Sequence, residues 1–381
     1  MNNKKESDLP LHGGDIVSAS MRYHIPIDQW VDLSTGINPE HYPIDSVNIN
    51  DYCRLPYISH DFYTAAQNYY LPNQLKNSLL AVAGTQVAIQ TLPHLLTDHP
   101  VLIPDIGYQE HRSHWQKNHS TIINYPAETL SISTEFIERS IEKNKRQHLV
   151  IINPNNPSGV VFNKLQLIEW AKKIDRSAYI IIDEAFIDST PENSVLTESL
   201  PSNIIVLRSF GKFFGLAGIR LGFVFACSSL IQSLQEAIGI WQVNGPAQAL
   251  AIAALNDTPW QQRMIKIIND NALHTQQYCQ PLTQISEKIV HSDLFSSYFM
   301  STDKALTINQ HLAQHGVLTR VVLFDKQPEK ITNTAPVLFS KKDNSSNAIL
   351  RVGRISKNDA FATNKLSQSL NSLLNIHGVL S

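Results

Sequence analysis

Four short runs in the middle of the chain are apolar at every position: Val101-Leu102-Ile103, Leu149-Val150-Ile151-Ile152, Tyr179-Ile180-Ile181-Ile182 and Ile204-Ile205-Val206-Leu207. A strand with one wet face alternates apolar and polar residues, so a run without alternation needs cover on both sides. Segments with apolar residues at helical spacing lie between the runs, residues 164–174 among them. Strand and helix in alternation predict an α/β fold on a mostly parallel sheet. After about residue 230 the pattern turns helical, with a long amphipathic stretch over residues 261–278. The end of the chain mixes short strands, residues 316–323 and 348–352, with a closing helix. Turn signals crowd the start, at Gly13-Gly14, Gly36 and Asn38-Pro39. These shifts predict an N-terminal arm (1–45) that reaches the functional site and completes a smaller α+β domain. A large ligand-binding domain (46–265) and the C-terminal small domain (266–381) follow.

Composition narrows the partners. Lys+Arg 31 against Asp+Glu 33 gives a net charge of −2, which leaves no polycation for nucleic acid or an anionic membrane. No apolar stretch reaches the roughly 18 residues of a membrane span, and the opening MNNKKESDLP lacks the apolar core of a signal peptide. Cys53, Cys227 and Cys279 are scattered without CxxC spacing, so they read as reduced thiols of a cytoplasmic protein.

In an open parallel sheet ligands sit at the carboxyl ends of the strands, so the residues after each run matter most. Asp183-Glu184-Ala185-Phe186 follows one run, Arg208-Ser209-Phe210-Gly211-Lys212 another, and Asn153-Pro154-Asn155-Asn156-Pro157-Ser158-Gly159 a third. Singly these read as a helix cap or ion pair, an exposed lysine and a turn. Gly211-Lys212 is no P-loop, because Val206 stands where the first glycine belongs and Phe213 follows the lysine. Together they read differently. A pyridoxal 5′-phosphate site needs a lysine for an imine, a carboxylate to keep the pyridine nitrogen protonated, a donor to the ring hydroxyl and a cradle for the phosphate. Lys212, Asp183, Asn156 and the helix start Gly84-Thr85-Gln86 supply one of each, with Ser209 and Arg220 beside them.

The order and spacing of these residues resemble the fold-type I, aspartate-aminotransferase-like family of pyridoxal-phosphate enzymes, over nearly the whole chain. That family places the lysine in Ser-x-x-Lys with an arginine eight residues on, matched by Ser209-Phe210-Gly211-Lys212 and Arg220. The resemblance implies a fold-type I transferase architecture with Lys212 as the catalytic, cofactor-bearing lysine. It implies that Asn156 of Asn156-Pro157-Ser158-Gly159 bonds the ring oxygen, that Asp183 meets the ring nitrogen and that Tyr108 stacks on the ring. It also implies that Arg351 of Leu350-Arg351-Val352-Gly353 grips a substrate anion. Where many relatives carry tyrosine three residues after the aspartate, this chain has Phe186, so one hydrogen bond to the cofactor is missing.

The arm narrows the resemblance. Leu11-His12-Gly13-Gly14-Asp15 and Trp30-Val31-Asp32-Leu33-Ser34-Thr35-Gly36-Ile37-Asn38-Pro39 look like the L-threonine-O-3-phosphate decarboxylases of cobalamin biosynthesis. Arg54-Leu55-Pro56 and Trp241-Gln242-Val243-Asn244-Gly245-Pro246-Ala247 support the match. This implies decarboxylation of a phosphorylated amino acid by a homodimer. Substrate contacts are expected from His12, Thr35, Gly36, Asn38, Asn156, Arg320 and Arg351, the arginines mainly on the phosphate. Relatives often take a tyrosine from the neighbouring subunit near Pro56; here Leu55 occupies that place, and Tyr57 beside it is the candidate.

Two rival readings share parts of the pattern. Histidinol-phosphate aminotransferases share the Asn-Asn-Pro motif and the lysine context, but the arm motifs and Phe186 separate them from this chain. A pyridoxal-phosphate-binding regulatory module would need a DNA-binding domain, and no helix-turn-helix precedes the arm. His111 and His114 lie one helical turn apart in Glu110-His111-Arg112-Ser113-His114, yet Arg112 and Trp115 beside them predict a surface helix and no metal site.

Overall fold

Seven strands form the main sheet, in the order Ser78–Val82, Gly222–Ala226, Ile204–Ser209, Ile180–Asp183, His148–Ile152, Val101–Pro104 and Ile122–Tyr125. Gly222–Ala226 runs antiparallel to both its neighbours, and the other four pairings are parallel. This computed structural model describes residues 12–71, 78–96, 98–324 and 347–373. The sheet lies in the larger of two compact units, Ile37–Ile268; the other joins the residues up to Gly36 with those from Asn269 onward.

The unbroken apolar runs become the central strands for the reason the pattern implies. Val150, Ile181 and Ile205 pack on one face with Ala88, Ile89 and Leu92 of the helix Thr85–Leu95. Leu149, Ile151, Ile180 and Ile182 point the other way and are equally buried. Removing such a side chain from water contributes about 1.5–3 kcal/mol, so a polar residue at any of these positions would open the sheet. The parallel register then aligns the strand ends. Ile152 faces Asp183, Asp183 faces Leu207, and Ser209 faces Gly222. One carboxyl edge therefore gathers the chemistry-bearing residues.

The smaller unit holds an antiparallel sheet in the order Arg320–Leu323, Ala348–Val352, Ser296–Met300 and Lys288–His291. Val31–Asp32 of the arm pairs in parallel with Val317–Leu318. The single strand expected over 316–323 is thus two, broken at Thr319, whose carbonyl and hydroxyl accept from Asn309 Nδ2 at 3.0 and 2.9 Å. That break lets one stretch bind the arm and the next bind Ala348–Val352. Val31, Leu33, Tyr298, Leu350, Val352 and Leu366 share the core of this unit. No helix among the described residues is long and apolar enough to cross a membrane.

Candidate active site

The helix Thr85–Leu95 begins at the carboxyl edge of the main sheet. Its first N–H groups have no intrahelical acceptor, and the helix dipole adds positive potential there. Gly84 caps it at φ +81°, a conformation that favours glycine, and a Cβ there would lie 2.6 Å from Arg220 Nη2. A Cβ on Gly222 would lie 2.6 Å from the Thr85 nitrogen. Two glycines thus keep open a cradle formed by a helix start, the Arg220 guanidinium and the Ser209 hydroxyl. Arg220 itself is held at φ +56° after the turn Ala217–Ile219, and Nη1 donates to Ala217 O at 3.1 Å. This is an anion site by its chemistry.

Asp183 closes its strand with 4% of its surface exposed. His111 Nε2 donates to Oδ2 at 3.0 Å, and the Ala185 nitrogen donates to Oδ1 at 3.1 Å. Tyr108 stands at the cap of the helix Gln109–Lys117, its hydroxyl donating to Gln86 Oε1 at 3.1 Å. Asn156 sits in the loop after Ile152. Asn155 Nδ2 ties that loop to Ile106 O at 2.9 Å, while Asn153 bonds both the nitrogen and the oxygen of Phe162. Lys212 lies in the short helix Phe210–Phe213, its Nζ 5.4 Å from the centre of the Phe186 ring. The nine residues expected at the cofactor line one pocket: Gly84, Thr85, Gln86, Tyr108, Asn156, Asp183, Ser209, Lys212 and Arg220. Phe186 lines it as well.

Strand alternation sends the neighbours of Asp183 and Ser209 to the opposite side. There Arg208 Nη2 donates to Asp188 Oδ1 at 2.6 Å and Nη1 to Glu184 Oε2 at 3.3 Å. Ser194 Oγ and the Val195 nitrogen complete the hydrogen bonds to Glu184. Burial lifts the Glu184 carboxyl above its ordinary range against the pull of Arg208. For Arg208 burial works downward, but Asp188 and Glu184 outweigh it and hold the guanidinium more basic than usual. This closed ion cluster braces the two strand ends that present Asp183 and Ser209.

In the smaller unit the other candidates come together around Ser34. Its hydroxyl accepts from the Gly14 nitrogen at 2.7 Å, and its carbonyl accepts from Arg351 Nη2. A Cβ on Gly13 would strike Ser34 O at 2.2 Å, and one on Gly353 would strike Thr35 O at 2.5 Å. His12 is exposed at the start of this docked arm, and Gly36 ends it. Arg351 faces Arg320 directly across the antiparallel ladder. Burial first, and then Arg320, pull Arg351 down to about 9, with Asp32 opposing.

The remaining candidates lie in the larger unit. Asn38 is buried, its Nδ2 donating to Phe213 O at 2.8 Å and its backbone nitrogen to Lys212 O at 3.0 Å, so it steadies the lysine turn. Tyr57 is exposed and packs edge-on against Trp241, ring centres 6.0 Å apart. It does not line the pocket.

One expectation needs sharpening. The helix carrying His111 and His114 does lie at the surface, with Gln116 and Lys117 exposed, but it buries the face of His111 and Trp115, which are 2% and 1% exposed. A buried imidazole is tolerated because Asp183 accepts a hydrogen bond from it. The i, i+4 spacing of His111 and Trp115 on one helix face, three residues past Tyr108, is the signal that could have found it. No group of three or more His, Cys, Asp or Glu among the described residues is placed to hold a metal ion.

The donor set fits pyridoxal phosphate: an amine, a buried carboxylate backed by a histidine, an aromatic ring and a glycine-lined anion cradle. Comparison with known proteins agrees. The family model for aminotransferase class I and II matches residues 56–323. A threonine-phosphate decarboxylase of Pseudomonas aeruginosa is 37% identical over 249 residues, 65% of this chain and 71% of that protein. A histidinol-phosphate aminotransferase of Sinorhizobium meliloti, solved with pyridoxal-5′-phosphate, superposes with a TM-score of 0.72 at 15% identity, covering 98% of this chain and 99% of that one. An L-threonine-O-3-phosphate decarboxylase of Porphyromonas gingivalis superposes with a TM-score of 0.64 at 16% identity, covering 90% and 98%. An aminotransferase and a decarboxylase share this fold, so the fold alone does not choose the reaction.

Proposed function

Because the chain belongs to the aminotransferase class I and II family, with a threonine-phosphate decarboxylase among its relatives, we propose that it decarboxylates L-threonine O-3-phosphate to (R)-1-amino-2-propanol O-2-phosphate, as a step of cobalamin biosynthesis. Its cofactor is pyridoxal 5′-phosphate. Bound in the pocket, that group supplies a conjugated, protonated ring that takes up the electron pair left at the substrate Cα when a bond to it breaks.

The protein's own groups do the rest. The helix start, Arg220 and Ser209 hold the cofactor phosphate. Asp183, kept in place by His111 Nε2–H, holds a proton at the ring nitrogen. Asn156 would donate to the ring oxygen, and Tyr108, lining the same pocket, would pack on the ring. Lys212 Nζ would hold the bound cofactor and would be the group that carries a proton to the substrate Cα.

The observation that carries the substrate reading is the arginine pair. Like charges directly opposite on a ladder repel, and burial adds to the cost. An anionic ligand would offset these costs further than Asp32 already does, and threonine phosphate brings a phosphate and a carboxylate. With Arg320 and Arg351 mainly on the phosphate, the carboxylate is left free to depart. By resemblance to the decarboxylases, His12, Thr35, Gly36, Asn38 and Asn156 are the further substrate contacts of this reading.

A second copy of the chain is the partner. The larger unit exposes Ile49, Tyr52, Leu55, Tyr57 and Ile240, and Trp241 packs beside Tyr57; large apolar side chains left exposed in this way would be covered in a homodimer. Tyr57 then faces the neighbouring subunit's substrate. Three free cysteines fit a cytoplasmic enzyme.

Product analysis tests the reading. Incubated with threonine phosphate, the holoenzyme is expected to form aminopropanol phosphate, identified by mass and by its phosphorus resonance. Amino transfer from histidinol phosphate to 2-oxoglutarate, with no aminopropanol phosphate, would give the reaction to the aminotransferase instead.

A further inference from the structure

The helix Gln109–Lys117 serves the pocket on two sides. His111 reaches Asp183, whereas its neighbour Glu110 reaches the helix Thr85–Leu95. There Gln86 Nε2 donates to Glu110 Oε2, and Gln86 Oε1 accepts from the Tyr108 hydroxyl at 3.1 Å. His114 Nε2 donates to the same Glu110 oxygen at 3.2 Å. The side chains of Glu110 and His114 are each 14% exposed.

We propose that Glu110 is a positioning residue: it fixes which way the Gln86 amide faces and, through that amide, how the Tyr108 ring is held over the cofactor. The two ends of a primary amide have nearly the same shape, so packing alone does not choose between them. An ionised carboxylate only accepts hydrogen bonds, so the NH2 end must face Glu110 and the carbonyl must face Tyr108. The phenol proton is thereby committed to Gln86, and the hydroxyl offers only lone pairs to any other donor. His114 holds the carboxylate in turn. Without Glu110 the amide can face either way, the phenol can donate or accept, and one ring arrangement becomes two. The inference rests on pyridoxal phosphate occupying this pocket.

The test uses protein stripped of cofactor and titrated with pyridoxal phosphate, followed by absorbance and by the circular dichroism induced in the bound cofactor. Glu110→Ala is expected to weaken binding about tenfold, the loss of one charge-assisted hydrogen bond, and to shrink the induced signal. Glu110→Gln is expected to shrink the induced signal as well, because its own amide, like that of Gln86, can face either way and no longer sets the direction. Tyr108→Phe carries its own loss, and adding Glu110→Ala to it is expected to cost nothing more, since Glu110 acts through the phenol hydroxyl. Additive losses in the double variant would overturn the proposal. So would a Glu110→Gln protein that keeps the full induced signal, or a Glu110→Ala protein that binds normally. A lowered unfolding midpoint in both stripped Glu110 variants would also overturn it, by assigning the effect to helix packing. Failure of the unsubstituted protein to bind the cofactor would instead remove the pocket reading itself.

Discussion

Arg208 of the larger unit and Arg351 of the smaller are both hidden, 2% and 6% exposed, yet their surroundings are opposite. Two carboxylates grip Arg208 and make it more basic than usual. Arg351 lies across a ladder from Arg320 and is pulled down to about 9 by burial and by that neighbour. The first guanidinium is compensated from within the fold, so it serves structure. The second has Asp32 and the Ser34 carbonyl beside it but a like charge across the ladder, and it is the one proposed to receive an anion. Burial acts downward on both; the two differ in the sign of the charge that weighs most beside them.

The largest expected effect lies on the compensated side. Arg208→Met leaves Glu184 and Asp188 buried together, and chemical unfolding of the cofactor-free protein should show a loss of about 3–5 kcal/mol. Arg351→Met loses the hydrogen bond to Ser34 O but also sheds the repulsion of Arg320, so the loss should be smaller, about 1–2 kcal/mol. Equal losses would erase the distinction between the two arginines.

A third buried base extends the comparison. His148 accepts from the Tyr179 nitrogen at 3.0 Å, and burial, helped by nearby His99, holds its pKa at about 4 instead of 6.5. As pH falls the unfolded chain takes up this proton first. Stability present above pH 6.5 is therefore lost towards pH 4, by on the order of 3 kcal/mol. His148→Asn, whose side-chain oxygen can replace Nδ1 as acceptor, should flatten that acid limb in unfolding midpoints taken from neutral to acid pH. An unchanged slope would show that other groups set it.

On the binding side, Arg351→Met and Arg320→Met should each raise the KM for threonine phosphate about 10- to 100-fold while cofactor affinity stays the same. A KM that does not move in either variant would take the phosphate away from this pair. The smallest effect belongs to the pocket. Phe186→Tyr adds a hydroxyl beside the cofactor and should lower, by up to about one unit, the pH at which the bound cofactor's absorbance changes.

The parallel core was legible because a strand buried on both faces must be apolar throughout, and the four runs mark four such strands. Ile122–Tyr125 escaped notice because it is an edge strand, partly exposed, with Asn124 in its middle. The pocket was legible for a related reason. Its residues follow strand ends that the parallel register aligns, so order in sequence becomes proximity in space. What stayed hidden depends on pairings distant in sequence. His111 and Asp183 are 72 residues apart, and nothing local to either predicts that they meet. The arginine pair was visible as two separate cations, but their register, which creates the repulsion, is a property of the folded ladder alone.

The central claim is tested most directly with threonine phosphate labelled at its carboxyl carbon, supplied to the holoenzyme without any keto acid. The account predicts release of the label as carbon dioxide, one for each aminopropanol phosphate formed, and none from the Lys212→Ala protein. Retention of the label in the substrate by fully cofactor-loaded enzyme would contradict it.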